Sequence, residues 1–193
     1  MPGRFFLLDG VGGLVDPPRL NIATGQEVIT LTAEGARHMR WGMIPVGRVN
    51  ARGRPVMETI INARSETVFD KSAFADVKRA IVPASGWYEW TGEKRHKQPW
   101  RITRKDGGLL YFAAIYDVWN GPGGVQVPQV ATITCAPSAD VRDIHHRMGV
   151  ILTESQCIQW LAGDEEDAKA LMKPFPDGML RVEKADDVDW DGA

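Results

Sequence analysis

Leu109-Leu-Tyr-Phe-Ala-Ala-Ile-Tyr-Asp-Val-Trp119 is the longest of several apolar, β-prone runs in this sequence. Similar runs lie before and after it, and Gly, Pro and Asn residues separate them. These other runs are Phe5–Leu8, Val28–Leu31, Met39–Ile44, Ala80–Pro83, Val130–Cys135 and Val150–Leu152. Short β-prone runs with turn residues between them are typical of antiparallel sheets. The sequence therefore predicts an α+β fold with a mostly antiparallel β core.

Two helices are predicted near the C-terminal end of the chain. Thr153-Glu-Ser-Gln156 has the pattern of a capping box, which predicts a helix from about Glu154 to Leu161. Asp164 is placed to cap a second helix, Glu165–Met172, whose first turn is acidic.

Length and composition limit the class of protein. A chain of 193 residues has room for one domain, which we expect to span residues 1–182, followed by an acidic, flexible tail over 183–193. No run approaches the ~20 apolar residues of a membrane span, and the two cysteines form no CxxC pattern. We therefore expect a cytoplasmic monomer with no membrane association, no disulfide framework, no cofactor and no metal site.

The net charge of −2 hides an asymmetry along the chain. Residues 1–105 carry 17 Lys and Arg against 10 Asp and Glu, whereas residues 106–193 carry 6 against 15. The basic excess is densest between Arg37 and Arg64, where six arginines face one acid, and Trp41 lies in the same stretch. Arginine with an aromatic residue suits single-stranded nucleic acid. A solvated basic face is the competing interpretation.

One carboxyl group lies within an aromatic run. Glu89 is flanked by Trp87, Tyr88 and Trp90, and such surroundings disfavour a carboxylate and raise the pKa of the acid. An acid of this kind can donate or shuttle protons near neutral pH. The alternative is a structural Glu89 that pairs with a nearby arginine.

Further polar residues lie at the ends of apolar runs. Asn62 and Arg64 are two residues apart on a β-like segment, so their side chains should face the same way. His145 and His146 precede the apolar run at Val150, and on an extended segment only one of them can join a given site. A purely structural histidine remains the alternative. These residues do not form a compact metal-ligand set.

Four segments together resemble the signature blocks of the SRAP family, the SOS-response-associated peptidase-like proteins that shield abasic sites in single-stranded DNA. The segments are Arg40-Trp-Gly-Met-Ile-Pro45, Asn62-Ala-Arg-Ser-Glu-Thr67, Pro83-Ala-Ser-Gly-Trp-Tyr-Glu-Trp90 and Ile144-His-His-Arg-Met148. They occur in the family's order. The resemblance implies a β-rich α+β fold with a barrel-like core, a few short helices and a groove for single-stranded DNA, in a nucleoid-associated protein of the DNA damage response.

The resemblance also implies roles for individual residues. Asn62 would position the sugar or the attacking terminus, Glu89 would shuttle protons, and His145 would assist ring opening. DNA contacts are implied for Gly3, Arg4, Arg40, Trp41, Pro45, Arg64 and Arg147. Among these, Arg4 and Arg64 would hold phosphates, and Trp41 and Pro45 would pack against bases. Family members lose Met1 and use a cysteine at position 2 to form a stable thiazolidine cross-link.

This sequence departs from the family at that position, because residue 2 is Pro2. Smaller departures are Gly47 and Gly149, where the family usually has Trp and Pro. Without a thiol no thiazolidine forms. Removal of Met1 would instead expose the secondary amine of Pro2, which can condense with an aldehyde to a cationic iminium.

Three functions remain open from the sequence. The first is a transient Schiff base at Pro2 with lyase-like chemistry, for which Glu89 and His145 would serve as acid and base. The second is non-covalent binding of single-stranded or lesion DNA by a protein that has lost the cross-linking cysteine. The third lies outside DNA and includes peptidase self-processing or another hydrolysis. If Met1 is retained, Pro2 is an amide and the first function loses its nucleophile.

Overall fold

The computed structural model describes residues 3–44, 52, 59–71, 74, 76–93 and 96–191. Within these residues the chain forms thirteen β-strands and two α-helices. The strands β1 to β13 are, in chain order, Arg4–Leu7, Arg19–Ala23, Glu27–Thr32, Gly35–Trp41, Asn62–Arg64, Lys78–Ala84, Gly86–Thr91, Gln98–Arg104, Leu110–Asn120, Gln126–Cys135, Met148–Gly149, Ile151–Leu152 and Leu180–Lys184. The helices are α1, Glu154–Ala162, and α2, Glu165–Leu171.

The larger sheet forms a closed ring. Strands β10, β4, β3, β6 and β9 pair in succession, and β9 pairs again with β10. The central member, β9, corresponds to the apolar run Leu109–Trp119. Strand β10 runs parallel to β4 and β5, while the other pairings are antiparallel. The predicted α+β class with a mostly antiparallel β core is therefore confirmed, and the core for which the resemblance implies a barrel-like form is a closed ring of strands.

The smaller sheet has the antiparallel order β13, β8, β7, β1, β2. Strand β7 begins at Gly86, and this position has no room for a side chain. A Cβ atom there would lie 2.6 Å from the Ile102 carbonyl oxygen and 2.6 Å from the Phe6 ring. Glycine thus lets β1 and β8 pack closely on either side of β7.

Both predicted helices are present, and each differs from its predicted end by one residue. The side chain of Gln156 accepts a hydrogen bond from the backbone N–H of Thr153 at 2.9 Å, as a capping box requires. Asp164 accepts one from the backbone N–H of Asp167 at 2.8 Å at the start of α2. Trp160 docks α1 on the ring, because its buried indole N–H donates to the Ala80 carbonyl at 2.8 Å.

The acidic C-terminal segment, for which the composition predicts a flexible tail, contacts the smaller sheet. Strand β13 pairs with β8, and Ala185 beyond it is 0% exposed. The Trp190 ring lies 4.9 Å from the ring of Tyr88, and Asp187 pairs with Arg101 at 2.9 Å. Residues 183–191 therefore pack against the outer face of the smaller sheet, because Trp190 adds apolar contact area that the charge count does not reveal.

Candidate functional site

Glu89 lies in the middle of β7 with its side chain turned toward the interior. Strand alternation places Glu89 on the same face as Trp87, which belongs to the main core, and opposite Tyr88, which belongs to a second cluster. Glu89 is 3% exposed, and this burial raises the pKa of its carboxyl group. The sequence prediction of an acid with a raised pKa is confirmed.

The N-terminal strand runs beside Glu89. Strands β1 and β7 are antiparallel with Arg4 opposite Tyr88, so Gly3 lies level with Glu89. Gly3 is half-buried and is the first described residue, while Pro2 lies outside the described part of the chain. Because of this register, the first described residue of the chain lies beside the residue that carries the buried acid.

Asn62 and Arg64 lie on β5, which adds to the edge of β10. Ala63 between them is 2% exposed and faces the core, so the two polar side chains face the other way, as predicted. The Thr132 hydroxyl donates to the Asn62 side-chain oxygen at 2.5 Å and fixes the orientation of the amide. Arg64 is exposed two residues further along the strand. This pair places an amide and a guanidinium side by side on the surface.

His145 lies in the turn between β10 and β11. Its backbone N–H donates to the Val141 carbonyl at 2.9 Å, and its Nδ1 atom lies 3.0 Å from the backbone nitrogen of Arg147. The ring stacks on that of His146, with 4.3 Å between centroids. Burial and the neighbouring His146 lower the pKa of His145 to about 4. The imidazole is therefore neutral at physiological pH and can act as a hydrogen-bond donor or acceptor.

Arg147 connects this turn to the strands beside it. Its guanidinium donates to both carboxylate oxygens of Glu66, at 2.7 and 2.9 Å, and to the Thr134 carbonyl at 2.5 Å. The side chain is 13% exposed. Arg147 is thus held by Glu66 and Thr134, and the DNA contact that the resemblance implies for it stays a prediction.

Trp41, for which the resemblance implies packing against bases, is buried in this structure. The residue is 0% exposed, its indole N–H donates to the Ile61 carbonyl at 3.1 Å, and its ring meets that of Phe5 edge-on at 5.0 Å. A buried ring has no face for a base to stack on. Trp41 instead joins the N-terminal strand to the segment just before Asn62.

Two further predicted DNA contacts lie apart from this group. Arg4 faces the outer side of the smaller sheet and donates to the Asn21 side-chain oxygen at 2.6 Å. Asn21 in turn donates to the backbone of Asp189 at 2.9 Å. Arg40 donates to the Gly42 carbonyl at 2.6 Å. The last predicted contact, Pro45, lies outside the described residues.

The two thiols are poor nucleophiles. Burial raises the pKa of Cys135 to about 12 and that of Cys157 to about 11, so neither carries an appreciable thiolate at neutral pH. The described residues contain no group of three or more His, Cys, Asp or Glu side chains that could hold a metal ion. Over the same residues, none of the helices is both long and apolar enough to span a membrane.

The fold and the site define a class of protein: a β-rich domain whose N-terminal strand lies beside a buried acid, with a neutral histidine and an amide on neighbouring elements. Comparison with protein families gives the same class a name. The model of the SOS response associated peptidase (SRAP) family matches residues 12–188. The chain belongs to the SRAP family.

Individual relatives agree with this assignment. The abasic site processing protein YoqW of Bacillus subtilis is 34% identical over 169 residues, which cover 82% of this chain and 74% of that protein. The abasic site processing protein HMCES of Gallus gallus is 32% identical over 159 residues, covering 70% of this chain and 47% of the relative. This chain thus matches about half of the chicken protein.

Solved structures share the fold. A crystal structure of a Bacteroides thetaiotaomicron protein matches with a TM-score of 0.75 and 26% identity, covering 87% of this chain and 78% of the other. A Bordetella bronchiseptica protein matches with a TM-score of 0.78 and 22% identity, covering 95% and 99%. The second likeness bears on the fold alone.

Sequence reasoning missed three residues that organise the site: Glu66, Thr132 and Thr134. Glu66 lies in the Asn62–Thr67 segment, two residues after Arg64. From the sequence, an acid at this position is expected to pair with Arg64 and not with the distant Arg147. The threonines alternate along β10 at positions 132 and 134, and that alternation was the available signal that one face of this strand is polar.

Proposed function

We propose that this protein processes abasic sites in single-stranded DNA. The observation that carries the proposal is the buried Glu89 at the level of the N-terminal strand, because an acid there can serve chemistry at the chain's own N-terminal amine. Relatives that are 34% and 32% identical are named abasic site processing proteins. An abasic site in its ring-opened form presents an aldehyde, with which an amine can condense.

The nucleophile of the proposed reaction is the secondary amine of Pro2 after removal of Met1. The amine adds to the aldehyde carbon to give a carbinolamine. The Glu89 carboxylic acid then gives its proton to the departing hydroxyl group, which leaves as water, and a C=N⁺ iminium remains. The Glu89 carboxylate can next accept a proton from the adjacent sugar carbon, and the C3′–O bond breaks with the phosphate as leaving group.

Asn62 and His145 assist in this proposal without forming bonds to the sugar. The Asn62 amide, held by Thr132, would orient the sugar or the amine. Because the pKa of His145 is lowered to about 4, the ring is a weak base at neutral pH. We therefore assign the neutral ring as a hydrogen-bond donor to the sugar oxygen during ring opening, a role that needs no imidazolium.

DNA binding would rest on the basic N-terminal part of the chain. Arg64 is exposed on the same face of β5 as Asn62, so it can hold a phosphate that flanks the lesion. Gly3, which lies level with Glu89 on the neighbouring β-strand, can contact the sugar-phosphate backbone of the bound DNA. Each phosphate contact should add about 0.7 to the slope of log affinity against log salt on single-stranded DNA.

A second candidate function is non-covalent binding of lesion DNA. It is favoured by the residue at position 2, which is proline, together with two thiols whose raised pKa values exclude them as substitutes. In this candidate the same groove recognises the abasic site but forms no bond to it. The two candidates differ in the role of the aldehyde: processing requires it as the reacting group, whereas non-covalent binding does not.

The experiment compares three single strands of one sequence, which contain an abasic site, a tetrahydrofuran analogue without an aldehyde, or no lesion. Processing predicts strand scission at the abasic site alone. Non-covalent recognition predicts equal affinity for the abasic site and the analogue, no scission, and weaker binding of the undamaged strand. Equal affinity for all three strands and for duplex DNA, with no scission of any of them, would contradict both candidates.

A further inference from the structure

We propose that Glu66 and Arg147 form a positioning pair that holds the His145 ring in one orientation beside the strand that carries Asn62. The role of the pair in catalysis rests on the proposed function. Its effect on the His145 ring follows from the fold and is measured separately from DNA chemistry.

The ion pair itself is well formed. Two parallel hydrogen bonds of 2.7 and 2.9 Å join the Arg147 guanidinium to the Glu66 carboxylate, a geometry that a flexible point charge cannot reproduce. The hydrogen bonds from Arg147 lower the pKa of Glu66 to about 2, so the carboxylate is charged at neutral pH. Arg147 is 13% exposed and Glu66 54%, which leaves the arginine as the buried partner.

The pair is anchored to the ring-shaped sheet through Thr134. Arg147 Nη2 donates to the Thr134 carbonyl at 2.5 Å, and Thr134 is 0% exposed near the end of β10. Thr134 lies opposite Arg64 of β5, and its hydroxyl donates to the Ala63 carbonyl at 3.2 Å. The Arg147 side chain thus fixes the turn that bears His145 relative to the strand that bears Asn62.

The backbone of Arg147 then acts on the imidazole. Its N–H lies 3.0 Å and its carbonyl oxygen 3.1 Å from His145 Nδ1, so this nitrogen has a backbone partner on Arg147 whether it accepts or donates. The backbone of Arg147 therefore holds the ring through Nδ1 in either tautomer, which fixes the orientation of the ring. Because the amide and the guanidinium belong to one residue, holding the side chain of Arg147 also holds the amide.

The groups around the ring determine whether the pKa of His145 should rise or fall when the pair is broken. His146 stacks on His145, and Arg147 of the same turn forms an ion pair with Glu66. Removing the negative charge of Glu66 by itself would disfavour the imidazolium and lower the pKa of His145 further. Releasing the turn would instead expose the ring, reduce its desolvation and raise that pKa toward its ordinary value of about 6.5.

The test is an NMR titration of the histidine rings in Glu66→Ala and Glu66→Gln, with His145→Gln to assign the signals. We expect the pKa of His145 to rise in Glu66→Ala, the Nδ1 signal to lose its hydrogen-bonded shift, and Glu66→Gln to lie between this variant and the wild type. Asp106→Ala is the matched control, because Asp106 makes a two-bonded ion pair with a partly buried Arg104 elsewhere. It should leave His145 unchanged.

Strand scission at an abasic site gives the second measurement. If the pair positions His145, the rate in Glu66→Ala falls on the order of tenfold or more, while Asp106→Ala keeps the wild-type rate. An unchanged or lowered pKa of His145 in a folded Glu66→Ala protein would overturn the positioning role, whatever the DNA result. A raised pKa in a protein whose wild type does not cleave DNA would instead overturn the proposed function and leave the pair in place.

Discussion

Replacing Glu89 with glutamine removes a transferable proton from the site and leaves its shape almost unchanged. The side chain is 3% exposed, and burial raises the pKa of its carboxyl group, so the acid keeps its proton to a higher pH than a surface glutamate does. Glutamine fills the same volume but cannot pass a proton to a leaving hydroxyl group. General acid catalysis typically contributes ~100-fold or more, so strand scission should slow about 100-fold, or about 2.7 kcal/mol of activation free energy.

Replacing Glu89 with glutamine should also change how the stability of the folded protein depends on pH. Because the pKa of Glu89 is higher in the folded protein than in the unfolded chain, the folded state holds the proton longer as the pH rises. The contribution of this group to stability is therefore complete below the unfolded pKa and is lost as the pH rises toward the folded value. Glutamine carries no such loss, so the variant should gain stability relative to the wild type as the pH rises above the ordinary pKa of a glutamate.

The assay is single-turnover scission of a single strand with one abasic site, followed on a gel, together with thermal unfolding at each pH. Glu93→Gln is the matched control, because Glu93 is exposed just after the same strand. The control should keep the wild-type rate and stability profile. A folded Glu89→Gln protein that reacts within threefold of the wild type would refute the assignment of Glu89 as the proton donor.

Three further substitutions test the fold around the site. Gln129→Leu should cost about 2 kcal/mol in chemical denaturation, because the fully buried amide bonds both backbone groups of Ile44, at 2.9 and 3.0 Å. Trp41→Phe should lower stability by about 1–2 kcal/mol through lost packing and leave affinity for undamaged single strands unchanged in a binding titration. Trp190→Ala should speed hydrogen exchange across residues 185–191, measured by mass spectrometry, because the aromatic contact that holds this segment to Tyr88 is lost.

The local parts of the structure were readable from the sequence. Helix α1 begins where Thr153 and Gln156 form a capping box, and β9 follows the long apolar run almost to the residue, because both signals act within one segment. The shared face of Asn62 and Arg64 follows from strand alternation alone. The raised pKa of Glu89 likewise follows from its immediate neighbours.

Features of the structure that depend on pairing between distant segments could not be predicted from the sequence. The parallel addition of β5 to β10 joins residues about seventy positions apart, for example Asn62 and Thr132, and no local pattern encodes that register. Trp41 reads as a surface aromatic among arginines until the contact with Phe5 is known. From the sequence, Arg147 is expected to be a free cation, because its ion-pair partner, Glu66, lies 81 residues away along the chain.

The most direct test of the central claim is borohydride trapping on a single strand that contains one abasic site, read by intact mass and peptide mapping. The account predicts an adduct only when the reductant is present, on protein that has lost Met1, with the sugar attached to the nitrogen of Pro2. No adduct with or without reductant, while the strand still binds, would contradict the Schiff base and leave a non-covalent lesion binder. An adduct that survives without reductant on another residue would show that a different nucleophile has replaced the family's cysteine.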